Sequence, residues 1–152
     1  MSKAGKGVYR CNPDGSLSRV DMMGSPYTVA ECLDTPVISP VELADVYEDT
    51  ADYLHTYGWK QLALGTHGHP RCVRGALASV MMRGIRDNIS LTAPERMRAG
   101  DRYNVANNVL AARVDCLSVP FWNDNVAKDQ QEVEDTLRLF AKELRMLTDE
   151  VS

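Results

Sequence analysis

Between Ser39 and Gly58 apolar residues return every three or four positions, as Leu43, Val46, Tyr47, Ala51 and Leu54. That spacing lines one face of an α-helix. The start is Ser39-Pro40-Val41-Glu42, a capping box with proline at the first helical position, and Gly58 supplies the stop. A second stripe, Val73, Ala76, Leu77, Val80 and Met81, predicts a helix from Cys72 to Arg83. Thr92-Ala93-Pro94-Glu95 repeats the capping box and predicts a short helix halted by Gly100. Asp101 then caps another, with Tyr103, Ala106, Val109, Leu110 and Val114 on one side, and Pro120 forbids its continuation. The longest helix follows Asp129-Gln130-Gln131-Glu132. Its Val133, Leu137, Phe140, Leu144 and Leu147 form a 4-3-4-3 seam suited to one long neighbour.

The first forty residues follow a different rule. Two short polar–apolar stretches flank Asn12-Pro13-Asp14-Gly15, which predicts a β-hairpin over Val8 to Met22. Gly24 to Pro40, with prolines at 26, 36 and 40, reads as a linker wrapping the surface, with a helical turn at Val29 to Leu33. The expected fold is mainly α, a compact bundle of about four to five helices with an N-terminal β-hairpin. Residues 1–38 would form the hairpin and linker, and residues 39–152 the helical domain.

A chain of 152 residues is large enough to bury a core without disulfide or metal staples. Hydrophobic residues make up 44%, charged residues 25%, and the net charge is −4, which makes a non-specific nucleic-acid binder an unlikely class. No apolar run approaches the roughly 18 residues that span a bilayer, and the N-terminus has no apolar signal core. A cytoplasmic protein with no membrane partner is expected. The four cysteines, at 11, 32, 72 and 116, are scattered, as befits free and mostly buried thiols. Charge is uneven: Glu42 to Asp52 holds five acids and no base, while Arg71 to Arg102 holds seven arginines against three acids. The simplest expectation is that the acidic helix faces the arginine-rich middle, or that both are solvated.

Reactive side chains concentrate in Gly65-Thr66-His67-Gly68-His69-Pro70-Arg71-Cys72. His67, His69 and Cys72 offer three metal ligands, but a tetrahedral site wants a fourth from His55, Cys116 or Asp124, so no metal is expected. Cys72 at a helix start is a candidate nucleophile, with His67 or His69 as base and Asp124 or Asn123 to orient it. Against this, Cys72 also fits as a small buried residue in the helix's first turn. No cofactor signature or phosphate loop is present.

Gly58-Trp59 followed by Gln61, then Cys72-x-x-Gly75-Ala76-Leu77, the Asn104/Asn107 region, and Trp122-Asn123-Asp124 ahead of the last helix form an ordered set. Over roughly Glu42 to Leu147 this set resembles a family of small uncharacterised proteins of actinobacteria and their phages. The resemblance implies a compact helical domain of phage accessory origin and carries no activity. The expected function is a non-enzymatic module that binds a host protein, with a Cys72-dependent enzyme and a metal-binding protein as alternatives. The partner surface is expected on the hairpin, through Tyr9, Leu17, Val20, Met22 and Met23. Asn123 and Asp124 are expected as helix-capping or turn residues that accept from free amides at a helix start.

Overall fold

In the computed structural model, residues 8–11, 17–20, 24–82 and 91–151 are described. Among them the chain is mainly helical: α1 (Val29–Leu33), α2 (Pro40–Tyr57), α3 (Val73–Met81), α4 (Ala93–Arg113), α5 (Val119–Phe121), a π-helix (Trp122–Val126) and α6 (Gln130–Val151). Of the hairpin expected over residues 8–22, only Val8–Cys11 and Leu17–Val20 are described, placed antiparallel with Val8 opposite Val20. The turn at 12–16, Met22 and Met23 lie outside the described residues, and the hairpin is not counted in the established architecture.

Helices α1, α2 and α4 start with capping boxes. Ser39 Oγ accepts from the Glu42 amide at 3.2 Å while Glu42 Oε1 accepts from the Ser39 amide at 3.0 Å. Thr92 and Glu95 repeat the exchange, and so do Thr28 and Glu31 at α1. At the other end of α2 the Gly58 amide donates to the Leu54 carbonyl, and its φ of 104° turns the chain out of the helix. Asp129 Oδ1 caps α6 through the Glu132 amide at 2.8 Å.

Helices α2 and α6 form the central antiparallel pair. Their contacts run in opposite order along the two chains: Asp45 and Glu48 meet Arg145, Tyr47 stacks on Phe140, Asp52 meets Arg138 and His55 meets Glu134. Leu43, Tyr47, Ala51 and Leu54 interlock with Val133, Leu137, Phe140 and Leu144, all buried. Leu147, the last seam position, is 42% exposed and falls outside the core. Helix α3 packs on α2 and α4 through Val73, Ala76 and Leu77, and α4 adds Ala106, Val109 and Leu110. The buried Tyr47 hydroxyl donates to the Ala106 carbonyl at 2.6 Å, and burial holds its pKa well above the usual phenol value.

One expectation is corrected. Gly100 does not halt a helix: α4 runs 21 residues through it, because glycine inside a helix costs only about 1 kcal/mol and the capped, packed turns on either side outweigh that. Among the described residues, Asp45, Glu48 and Asp52 of α2 meet arginines of α6, and Glu42 pairs into the arginine-rich middle, at Arg102. The apolar seam aligns α6 along α2 and so brings Arg138 and Arg145 to these acids.

Three glutamates are held below the ordinary carboxylate range. Glu42 and Glu95 are lowered first by the backbone N–H groups they cap, at Ser39 and Thr92, and Glu143 by its hydrogen bonds from Arg113. A depressed folded pKa gives stability that is present above the unfolded value, about 4.3 for glutamate, and lost as pH falls through the folded pKa. Urea unfolding should therefore show a plateau near neutrality and a decline below about pH 4, with a shallower decline in Glu42→Gln. An unchanged pH dependence in that variant would show that the cap carries no linked proton.

Candidate functional site

Residues 58–72 leave α2 and return to α3 as a loop with no regular helix, yet nearly every turn is tied down. The Arg71 amide donates to the Gly58 carbonyl and the Lys60 amide to the Arg71 carbonyl, both at 3.2 Å. Gly65 sits at a φ of 75° against Arg71, where a Cβ would lie 2.2 Å from the Pro70 carbonyl oxygen, so only glycine fits. The Tyr53 hydroxyl accepts from the Gly68 amide and donates to the His69 carbonyl, each at 2.9 Å.

Asn123 joins this loop to the π-helix. Its Oδ1 accepts from the Trp59 indole N–H at 2.6 Å and from the Val73 amide at 3.0 Å, and its Nδ2 donates to the Lys60 carbonyl at 3.0 Å and to Asp124 Oδ1 at 2.8 Å. Two N–H donors on one side fix the orientation of the carboxamide. The side chain is fully buried and uses its whole hydrogen-bonding capacity. Asn123 thus accepts from a free amide at a helix start, and the helix is α3, 50 residues away. The wider π-turn, closed by the Ala127 amide on the Trp122 carbonyl at 2.9 Å, carries Asn123 inward. Gln130 makes a parallel tie, accepting from the Trp59 amide and donating to the Leu54 carbonyl and to Glu134.

Most residues considered for chemistry have structural partners, and exposed His69 is held through its backbone carbonyl by Tyr53. Cys72 is buried at the N-cap of α3, one residue before the helix, and its Sγ accepts from the Gly75 amide at 3.4 Å. Among the described residues the sulfur makes no hydrogen bond to His67 or His69. His67 Nδ1 lies 3.0 Å from Ser79 Oγ, which also accepts from Arg71 Nη1 at 2.7 Å, so the buried serine links the loop to α3. Asp124 Oδ1 accepts from the Leu62 and Asn123 nitrogens. His55 pairs with Glu134 at 3.2 Å. Cys116 is buried, which pushes its thiol up. Among the described residues no three His, Cys, Asp or Glu side chains converge as metal ligands. The side chains of Tyr9, Leu17 and Val20 are not among those described.

The loop's outer surface is different in kind. Leu62 has a φ of 68°, a region L-residues avoid, and is 82% exposed, its amide held by Asp124 Oδ1 at 2.8 Å. Leu64 and Leu117 are also exposed. Leu62, Leu64, Cys72, Arg74, Pro120 and Asp124 line a depression of about 190 Å³. Arg74 and Pro120 are shared with a second depression of about 450 Å³, which α4 lines with Asn104, Asn107 and Asn108. Leu62, Arg74 and Asn108 were not singled out from the sequence. The asparagine-rich run inside an otherwise regular helix was the one local signal available.

Asn123→Ala removes the acceptor of two buried N–H groups and the donor to Lys60. It should lower stability by about 3 kcal/mol, with a Tm fall of roughly 6–12 °C. Asn125→Ala, on the exposed side of the same turn, should change stability by less than about 0.5 kcal/mol. Equal losses in the two variants, read by thermal and urea melts, would contradict the clamp.

No helix among the described residues is long and apolar enough to cross a membrane. No curated protein and no solved structure matches the chain. A family profile does, over residues 38–143, the stretch holding α2, the clamped loop, Asn123 and most of α6. The chain belongs to the family of unknown function DUF6197.

Proposed function

We propose that this protein is a non-enzymatic recognition module that binds a partner protein through the face formed by the 61–64 turn, Arg74, Leu117 and Pro120. The observation that carries this is Leu62. A leucine in the left-handed region costs about 1–2 kcal/mol, and this one also leaves its side chain in water. Strained residues of this kind persist where surrounding structure holds them and concentrate at functional surfaces. Here Asp124 holds the Leu62 amide and Gln61 Nε2 donates to the Asn123 carbonyl at 3.1 Å, so the turn is rigid before any partner arrives. A rigid apolar anchor beside a shallow depression suits protein recognition, since little ordering entropy remains to be lost on binding.

A bacterial or phage source, as the resemblance implies, would make the partner a host protein in the cytoplasm. The N-terminal arm expected over residues 8–22, with Tyr9, Leu17, Val20, Met22 and Met23, would add a second contact. Removing residues 1–23 reads its share.

Leu62→Gly separates binding from folding. Glycine relieves the left-handed φ but adds freedom to the unfolded chain, so stability should hold or rise by about 1 kcal/mol. Partner proteins captured by the wild-type chain from a lysate of its source organism should be lost with this variant, or weakened at least tenfold. A captured set that is the same for both chains would refute the reading.

A further inference from the structure

The larger depression beside this face has unused hydrogen-bonding capacity. Asn104 and Asn108 lie one helical turn apart on α4, and neither carboxamide hydrogen-bonds to a described residue. Between them Asn107 donates to the Tyr103 carbonyl at 2.9 Å, while its buried Oδ1 has no partner among the described residues. Asparagine is a poor helix former, so three in five positions of a helix interior weaken α4 without any compensating bond across the fold. Arg74 stands opposite. Its Nε donates to the Tyr103 hydroxyl at 3.3 Å, and that hydroxyl donates to the Arg74 carbonyl at 3.1 Å, which fixes the side chain. Its Nη groups form no ion pair or hydrogen bond with a described residue. Among the described residues it is the one charged side chain lining this depression, and Leu117, Val119 and Pro120 supply the apolar wall.

Resting on the recognition reading above, we infer that this cleft takes an extended peptide segment of the partner, with an acidic side chain on Arg74 and main-chain amides on Asn104 and Asn108. A carboxamide places N–H donors beside an acceptor oxygen, the complement of a peptide group. Four residues of α-helix rise about 6 Å, close to the roughly 6.8 Å between alternate residues of an extended strand. Two asparagines one turn apart therefore match successive peptide groups on one edge of a strand. An arginine fork with free Nη groups matches a carboxylate bidentately. The cleft, about 450 Å³, lies within the roughly 300–1,000 Å³ range of ligand sites. A peptide fits better than a nucleic acid, because one arginine on a chain of net charge −4 does not form the basic track a phosphate backbone needs.

The test uses the full chain and a displayed library of random nine-residue peptides. Selection should enrich an Asp or Glu flanked by aliphatic residues, and selection on Arg74→Glu should replace that acid with Lys or Arg. A synthetic consensus peptide should bind Asn104→Ala/Asn108→Ala at least tenfold more weakly, while the melting temperature of that variant holds or rises. No enrichment over bare support overturns the inference. So does a consensus indifferent to Arg74→Glu, retention within twofold in the asparagine variant, or tighter binding of a single-stranded oligonucleotide than of the peptide. Failure is separable from failure of the recognition reading. If lysate capture is lost in Leu62→Gly but unchanged in the cleft variants, the cleft inference falls alone. If the peptide is lost in the cleft variants while lysate capture survives Leu62→Gly, the cleft stands without the Leu62 anchor.

Discussion

The Asn123 carboxamide is the joint on which the irregular half of this protein depends. Helices α2 and α6 hold one another through a continuous apolar seam, but residues 58–72 have no such seam. One buried side chain joins them to the π-helix and α3, serving the Trp59 indole, the Lys60 carbonyl and the first amide of α3 together, while Tyr53, Ser79 and Gln130 hold the other turns. An amide with all its capacity satisfied in a dry interior is strongly directional, and leaving any of its partners unpaired costs about 1–3 kcal/mol. The loop therefore has one low-energy arrangement.

That arrangement has consequences at the surface. The tie at Asn123 places Asp124 beneath the 61–64 turn, and Asp124 in turn holds Leu62 in a backbone region that leucine avoids. Internal order is thus converted into an exposed, fixed apolar side chain. The same segment continues into Val119 and Pro120, which wall the cleft facing the asparagines of α4. The recognition reading and the peptide inference use adjoining parts of one face, and both rely on its being formed in advance.

Much of the regular architecture was legible in local pattern. The capping boxes at Ser39 and Thr92, the Leu43–Leu54 stripe and the Val133–Leu144 seam each depend on residues within four positions of one another, which is the range over which periodicity speaks. Errors arose where longer range mattered. Gly100 read as a stop because propensity is local, whereas the turns flanking it are held by caps and packing. Pairings of Asp45, Glu48 and Asp52 were equally out of reach of local pattern, since the α2–α6 seam delivers Arg138 and Arg145 to them. The partners of Asn123 and Gln130 in the loop and at the ends of α2 and α3 were not legible, since those bonds join residues 50 or more positions apart. Cys72 drew attention as a reactive type, and the fold uses its sulfur as a helix cap. Leu62 gave no signal, because a positive φ at leucine is imposed by its surroundings and not by the residue.

The central claim is that the loop is held rigid from within, so that Leu62 is presented and not merely exposed. Amide hydrogen exchange at Leu62 tests this most directly. An exposed loop amide without a partner exchanges at nearly the unstructured rate, whereas opening free energies of even about 3 kcal/mol slow exchange by roughly a hundredfold. The account predicts protection of at least that size at Leu62, lost in Asn123→Ala, while the amides of Leu137 and Phe140 remain protected in both chains. Exchange of the Leu62 amide at the unstructured rate in the wild-type protein would contradict it.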